Sequence, residues 1–276
     1  MNLVIQGAAL GAGELSRISQ LAGAQRIERL GATAWRLTGA QQRPGIAEYC
    51  ERAGVDFGFV PAQRKLADMR LLAIDMDSTL ITIECIDEVA DLAGVKAEVA
   101  AITAAAMSGE LDYTQSLRRR VALLRGLEQD ALARVYHERL RLSPGAETLL
   151  AALRGAGVKT LLVSGGFSFF TDRLRDRLSL DYSASNEIEI EDGRLSGRVI
   201  GDIVDAGAKA AKLRALRDQL GIDRAAVIAI GDGANDLAMM AEAGVSIAYR
   251  AKPVARSKAD YALDHAGLDG VLNLFA

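Results

Sequence analysis

Two aspartates, Asp75 and Asp77, stand directly behind the apolar run Leu71-Leu72-Ala73-Ile74 and ahead of Ser78-Thr79. On a strand that continued past Ile74 both carboxylates would face one side, and like charges that close repel unless a cation or proton intervenes. The plainer reading of an isolated pair is a solvated acidic turn, or a helix capped by Ser78. A second cluster, Gly231-Asp232-Gly233-Ala234-Asn235-Asp236, follows the apolar run Ala225–Ile230. Its glycines permit a tight backbone path, and two carboxylates with one amide supply the hard oxygen ligands that magnesium prefers. The alternative is a glycine-rich turn capping the next helix. Ser164-Gly165-Gly166 ends a third run and offers a hydroxyl and backbone N–H groups to an anion. Lys209 and Lys212 are candidate phosphate clamps, or else solvated surface lysines.

These groups suit one reaction. A carboxylate takes up a phosphoryl group as an aspartyl-phosphate while a neighbouring acid protonates the leaving oxygen, then deprotonates the hydrolytic water. Magnesium, lysine and backbone donors would neutralise the phosphoryl charge. The residue inventory excludes the main competitors. With two histidines (His137, His265) and two cysteines (Cys50, Cys85), none in a CxxC or Cys/His cluster, a zinc site or histidine relay has no material. The cysteine count also argues against a disulfide framework and for a reducing cytoplasm. A net charge of -3 gives no basic surplus for nucleic acid or an acidic membrane, and no segment approaches a membrane span.

The elements that must position these residues read as follows. From Arg70 on, four short apolar runs, Leu71–Ile74, Val158–Val163, Ala225–Ile230 and Val245–Ala248, alternate with Ala-, Leu- and Arg-rich helical stretches. That order predicts an α/β fold with an open parallel sheet, helices on both faces, and ligands at the carboxyl ends of the strands. Residues 86–141 carry no strand pattern and predict a helical cap insertion. Glu187 to Val199, around Asp192-Gly193, predicts a small β-hairpin insertion. Residues 1–68 predict a small α+β module of βαβαβ-like order: strands at Met1–Gln6, Arg26–Leu37 and Val55–Val60, helices at Glu14–Leu21 and Ile46–Ala53. Gln63 to Asp68 is the expected linker, and 69–276 the main domain.

The ordered set Asp75-x-Asp77-Ser78-Thr79, Ser164-Gly165-Gly166, Lys209 and Gly231-Asp232-Gly233-x-Asn235-Asp236 resembles the four motifs of the haloacid dehalogenase superfamily, and the likeness runs from about Arg70 to the C-terminus. The resemblance implies Asp75 as nucleophile and Asp77 as general acid/base. It implies Mg2+ on Asp75, Asp232 and the Met76 carbonyl, with Asp236 behind the metal and Lys209. Ser164, Gly165 and Lys209 would hold the phosphoryl group, Lys209 being preferred to Lys212 by its distance from Asp232, and Asn235 would line the site.

Within that superfamily the resemblance implies O-phospho-L-serine as substrate and a place at the last step of serine biosynthesis. Such a substrate wants an acid for its ammonium and an arginine for its carboxylate. Glu84 and Arg120 fill those positions, with Met107 and Tyr113 closing over the substrate; the family often has Phe where Tyr113 stands. The remaining implied properties are a small-molecule substrate, a cytoplasmic location, a possible homodimer through the N-terminal module, and an ACT-like origin for that module. Another small phosphomonoester, transfer to a second alcohol, and a non-enzymatic phospho-accepting switch are the alternatives. Arg118, Arg119, His137, His265, Trp35 and Cys85 receive surface or packing roles.

Overall fold

The computed structural model describes residues 1–8, 10–107 and 109–275, with every side chain in them except that of Met107. Four strands open the chain: β1 (Asn2–Gln6), β2 (Arg26–Arg29), β3 (Ala34–Thr38) and β4 (Asp56–Val60), with helices at Ala12–Ala22 and Ile46–Ala53. They form an antiparallel sheet in the order β2-β3-β1-β4. The stretch Arg26–Leu37, expected as one strand, is therefore a hairpin, and the order is βαββαβ rather than βαβαβ. The bend lies at 31–33, where the Leu30 and Gly31 N–H groups both turn back onto the Ala34 carbonyl. Between the two strands only Gly31 marks a turn, so a pattern reading passes over the connection. Leu3, Ile5 and Leu37 pack with Ile18, Ile46 and Cys50, whereas Val4 and Val60 on the opposite face join the main core. The period-2 alternation of β1 thus divides one strand between two cores.

Seven strands follow: β5 (Leu71–Ile74), β6 (Lys159–Phe167), β7 (Tyr182–Glu191), β8 (Arg194–Ile200), β9 (Val227–Gly231), β10 (Val245–Tyr249) and β11 (Tyr261–Leu263). Their sheet order is β11-β10-β9-β5-β6-β7-β8, parallel except for the β7–β8 hairpin. This is the expected α/β sheet with hairpin insertion, extended by β11, a three-residue strand too short to show in the sequence. Every residue of β5, β9 and β10 is buried, as strands covered on both faces must be. Leu72, Ile74, Ile228 and Ile230 face one core; Leu71, Ala73, Val227 and Ala229 face the other. Each large aliphatic so buried contributes about 1.5–3 kcal/mol relative to exposure. The chain leaves β5 for β6 on one side and later returns to β9 on the other, so a crevice opens at the carboxyl end of β5.

Between Ile81 and Leu142 the chain runs in helices and turns, with helices at Cys85–Leu92, Lys96–Met107, Tyr113–Ala122 and Asp130–Arg134. This is the expected cap. It leaves and rejoins the sheet along two adjacent segments, where Thr82 N–H donates to Arg141 O (3.0 Å) and Ser143 N–H to Leu80 O (2.9 Å). A second tie joins it to the β7–β8 hairpin, through Gly126 N–H to Leu195 O (2.8 Å) and Leu195 N–H to Leu127 O (2.9 Å). The N-terminal sheet docks on the C-terminal segment through buried Asp56, whose carboxylate accepts the backbone N–H groups of Asp264, His265 and Ala266.

Candidate active site

Asp75 sits one residue past β5, its N–H still paired with Ile230 O (3.0 Å). Asp77 follows in extended geometry, and Ser78 then reverses the chain at φ +56. Ser78 therefore turns the backbone rather than capping a helix. The reversal is closed by the Leu80 N–H on Asp75 O (3.2 Å) and the Ile81 N–H on Met76 O (3.0 Å). A non-glycine residue at positive φ is strained, and here its hydroxyl donates to Glu84 Oε1 at 2.8 Å. Both aspartates line a cavity of about 320 Å³ between sheet and cap, together with Glu84, Tyr113, Arg120, Ser164, Gly165, Asp232 and Asn235.

Lys209 links the motifs. It rises from the helix Ala206–Gln219, whose N-terminus Asp205 caps by accepting the Ala208 N–H at 2.8 Å. Its Nζ lies 2.7 Å from Asp75 Oδ1 and 2.8 Å from Asp236 Oδ1, and all three side chains are buried. Asp236 Oδ2 accepts the Asp232 and Gly233 N–H groups at 3.1 Å each. Gly231 has to be glycine, because a Cβ there would stand 2.5 Å from that of Asp236. Burial by itself would lower the Lys209 pKa; Asp75 and Asp236 outweigh it and hold the ammonium charged. Lys212 is exposed on the same helix.

Burial and then Asp236 push the Asp75 carboxyl well above the usual range, with Lys209 opposing. Asp77 is raised to about 7 by burial and by the nearby Glu84 carboxylate, against the Cys85 N–H that its Oδ1 accepts at 2.9 Å. Asp232 is raised to about 6, chiefly by burial; its nearest cation is Lys252, 3.8 Å away. Oxygens of Asp75, Asp232 and Asp236 lie within 4.8 Å of one another. Three buried carboxylates around one buried ammonium leave negative charge over, and hard oxygen donors suit a divalent cation, so the residues present fit such an ion.

Ser164 is buried within β6, which runs on through the expected Ser164-Gly165-Gly166 turn to Phe167 with a register shift against β7; its Oγ lies 3.5 Å from Asp77 Oδ2 and accepts the Gly166 N–H at 2.8 Å. A Cβ on Gly166 would stand 2.9 Å from Asp77 Oδ2. On the cap side Arg120 is half-buried, and its Nε, like Ser116 Oγ beside it, is shielded from solvent with no partner among the described residues. Glu84 is exposed at the cavity edge. The side chain of Met107 lies outside the described residues. Arg118, Arg119, His137 and His265 are exposed, Trp35 packs in the N-terminal core, and Cys85 is buried.

Sequence reasoning missed three residues. Asn186, on β7, is 1% exposed; its Nδ2 donates to Gly165 O (2.8 Å) and its Oδ1 accepts the Val204 N–H (2.7 Å). One amide thus holds the Ser164–Gly165 segment of β6 in register with the start of the Lys209 helix. A polar residue at an inward position of an alternating strand was the available signal. Lys252 and Ser116 line the cavity without any motif to flag them.

Comparison with known proteins agrees with this geometry. The haloacid dehalogenase-like hydrolase family matches residues 72–241, and a domain of unknown function matches residues 3–46. A phosphoserine phosphatase of Polaromonas sp. is 57% identical over 215 residues, 76% of this chain and 91% of that protein. The crystal structure of a probable phosphoserine phosphatase from Vibrio cholerae, unliganded, superposes with a TM-score of 0.87 at 38% identity, covering 99% of this chain and 85% of that one. A substrate-bound phosphoserine phosphatase structure matches 75% of this chain and 99% of its own, with a TM-score of 0.71 and 37% identity. The chain belongs to the haloacid dehalogenase-like hydrolases and, among them, to the phosphoserine phosphatases.

Proposed function

We propose that the chain hydrolyses O-phospho-L-serine to L-serine and phosphate, with the phosphoryl group passing through Asp75. Asp75 attacks phosphorus; the bond from phosphorus to the serine oxygen breaks, and Asp77 gives that oxygen its proton. Asp77 then takes a proton from water, which attacks the aspartyl-phosphate and breaks the bond between Asp75 and phosphorus. An Asp77 raised to about 7 is suited to both directions of transfer. Ser164, the Gly165 backbone and Lys209 hold the phosphoryl oxygens, with Asn235 at the rim.

Asp75, Asp232 and the Met76 carbonyl are the proposed ligands of Mg2+, which when bound neutralises charge on the phosphoryl oxygens. Asp236, with Lys209 and two backbone N–H groups already on its carboxylate, orients the lysine. The observation that carries the substrate is the pairing, in one cavity, of Glu84 with an Arg120 whose buried Nε has no partner among the described residues: one acid for an ammonium, one fork for a carboxylate. Tyr113 closes the cap side. The test is phosphate release from L-phosphoserine with and without magnesium; release no faster than from the decarboxylated analogue would remove the substrate assignment.

Residues 1–68 form a proposed separate module and 69–276 the catalytic domain. The relative that aligns over 91% of its own length reaches only 76% of this chain, which supports a role for the module outside catalysis. The exposed edge strand β2 of this sheet is its proposed homodimer contact. Two unpaired, buried cysteines support a cytoplasmic location.

A further inference from the structure

Tyr113 is the first residue of the helix Tyr113–Ala122 and is fixed there by Asp112, whose Oδ1 accepts the Gln115 N–H at 2.7 Å. Its hydroxyl crosses from cap to sheet and donates to the Gly165 carbonyl at 3.0 Å. That carbonyl already accepts Asn186 Nδ2 at 2.8 Å, and Asn186 belongs to β7, within the sheet. One acceptor in the phosphate-binding segment of β6 therefore receives a standing donor from the sheet and a conditional donor from the cap. Gly165 makes room for the second: a Cβ at that position would overlap the tyrosine hydroxyl.

A phenylalanine would fill the same apolar space, so packing does not call for the hydroxyl. The helix gives the contact leverage. Tyr113, Leu117 and Arg120 share one face and all line the cavity. Pinning the first residue sets where Arg120 stands, about 10 Å further along the axis.

We propose that the Tyr113 hydroxyl is a latch, a positioning group that holds the cap shut on the Gly165 carbonyl, so that cap closure, placement of Arg120 and alignment of the Ser164–Gly165 segment are one event. The geometry stands by itself; its consequence for turnover rests on the phosphoserine reading above.

Tyr113→Phe removes the latch and keeps the ring. Amide hydrogen exchange on the full-length protein without substrate should be about 2- to 10-fold faster across Tyr113–Ala122, the factor expected for one net hydrogen bond. The helix Ala146–Gly155 beneath the sheet should exchange as in the wild type. With L-phosphoserine, the loss should fall on KM more than on kcat, because bound substrate spans Arg120 and Glu84 and holds the cap without the hydroxyl. Unchanged exchange in the cap would overturn the latch. So would equal acceleration of cap and core helices, which marks general loosening, or a kcat loss of tenfold or more, which would make the hydroxyl part of the chemistry. The exchange arm needs no substrate, so it reads the latch even if the wild-type protein proves inactive on phosphoserine.

Discussion

The Lys209 ammonium lies 2.7 Å from Asp75 Oδ1, with both groups cut off from solvent. This pair fixes the nucleophile at the end of β5, and the same ammonium reaches Asp236 at 2.8 Å, so one lysine ties the first and last motifs together.

Lys209→Met should therefore act on stability as well as turnover. Removing one partner of a buried pair costs about 3–5 kcal/mol. In the variant the Asp75 carboxyl loses the charge that opposes its upward shift, so its folded pKa stands still further above its unfolded value. A group raised in this way stabilises below its unfolded pKa and loses that contribution as pH rises through the folded one. Thermal melts should thus show a deficit against wild type that grows from acidic to alkaline pH and shrinks on adding magnesium. A deficit independent of both would mean that the buried charges do not govern the site.

Asp77 carries the pH dependence of the first step. Raised to about 7, it is protonated below that pH, so kcat/KM should fall as pH climbs past it and the leaving oxygen loses its acid. Glu84 is a cause of the rise, so Glu84→Gln should move the alkaline limb to lower pH. The profile is best read on an alkyl phosphate without an amino group, which separates this effect from ammonium binding.

Arg120→Ala should raise KM for L-phosphoserine by about 10- to 100-fold, the value of a charge-assisted hydrogen bond. Phosphoethanolamine, which lacks the carboxylate, should be hydrolysed as before. Equal losses on both substrates would place Arg120 in cap packing.

Asn186→Leu leaves the Gly165 carbonyl and the Val204 N–H without their shared side chain. The expected loss is about 1–3 kcal/mol in stability, the range for an unsatisfied buried polar group. Turnover should also fall, because the Ser164–Gly165 segment and the Lys209 helix lose their common anchor. Denaturant unfolding and steady-state kinetics read the two effects separately.

Residues that follow a buried apolar run were legible in the sequence, because the run and its functional residues are near neighbours: Ile74 with Asp75, Val163 with Ser164, Ile230 with Asp232. Contacts between distant turns were not. Asn186 meets Gly165 across 21 residues and Tyr113 meets it across 52, each through a backbone carbonyl that no side-chain pattern marks. The hairpin hidden in Arg26–Leu37 escaped for a different reason: its first strand is exposed at every residue and its connection carries one glycine, so neither a buried face nor a strong turn signal separates the two strands.

The central claim is that the phosphoryl group passes through Asp75. Acid quenching during turnover of L-phosphoserine, followed by intact-mass and peptide analysis of wild type, Asp77→Asn and Asp75→Asn, tests it most directly. One added phosphoryl group is expected on the peptide containing Asp75, accumulating in Asp77→Asn where hydrolysis is slowed, with neither label nor turnover in Asp75→Asn. Near-normal turnover by Asp75→Asn, or a phosphoryl group found on another residue, would contradict it.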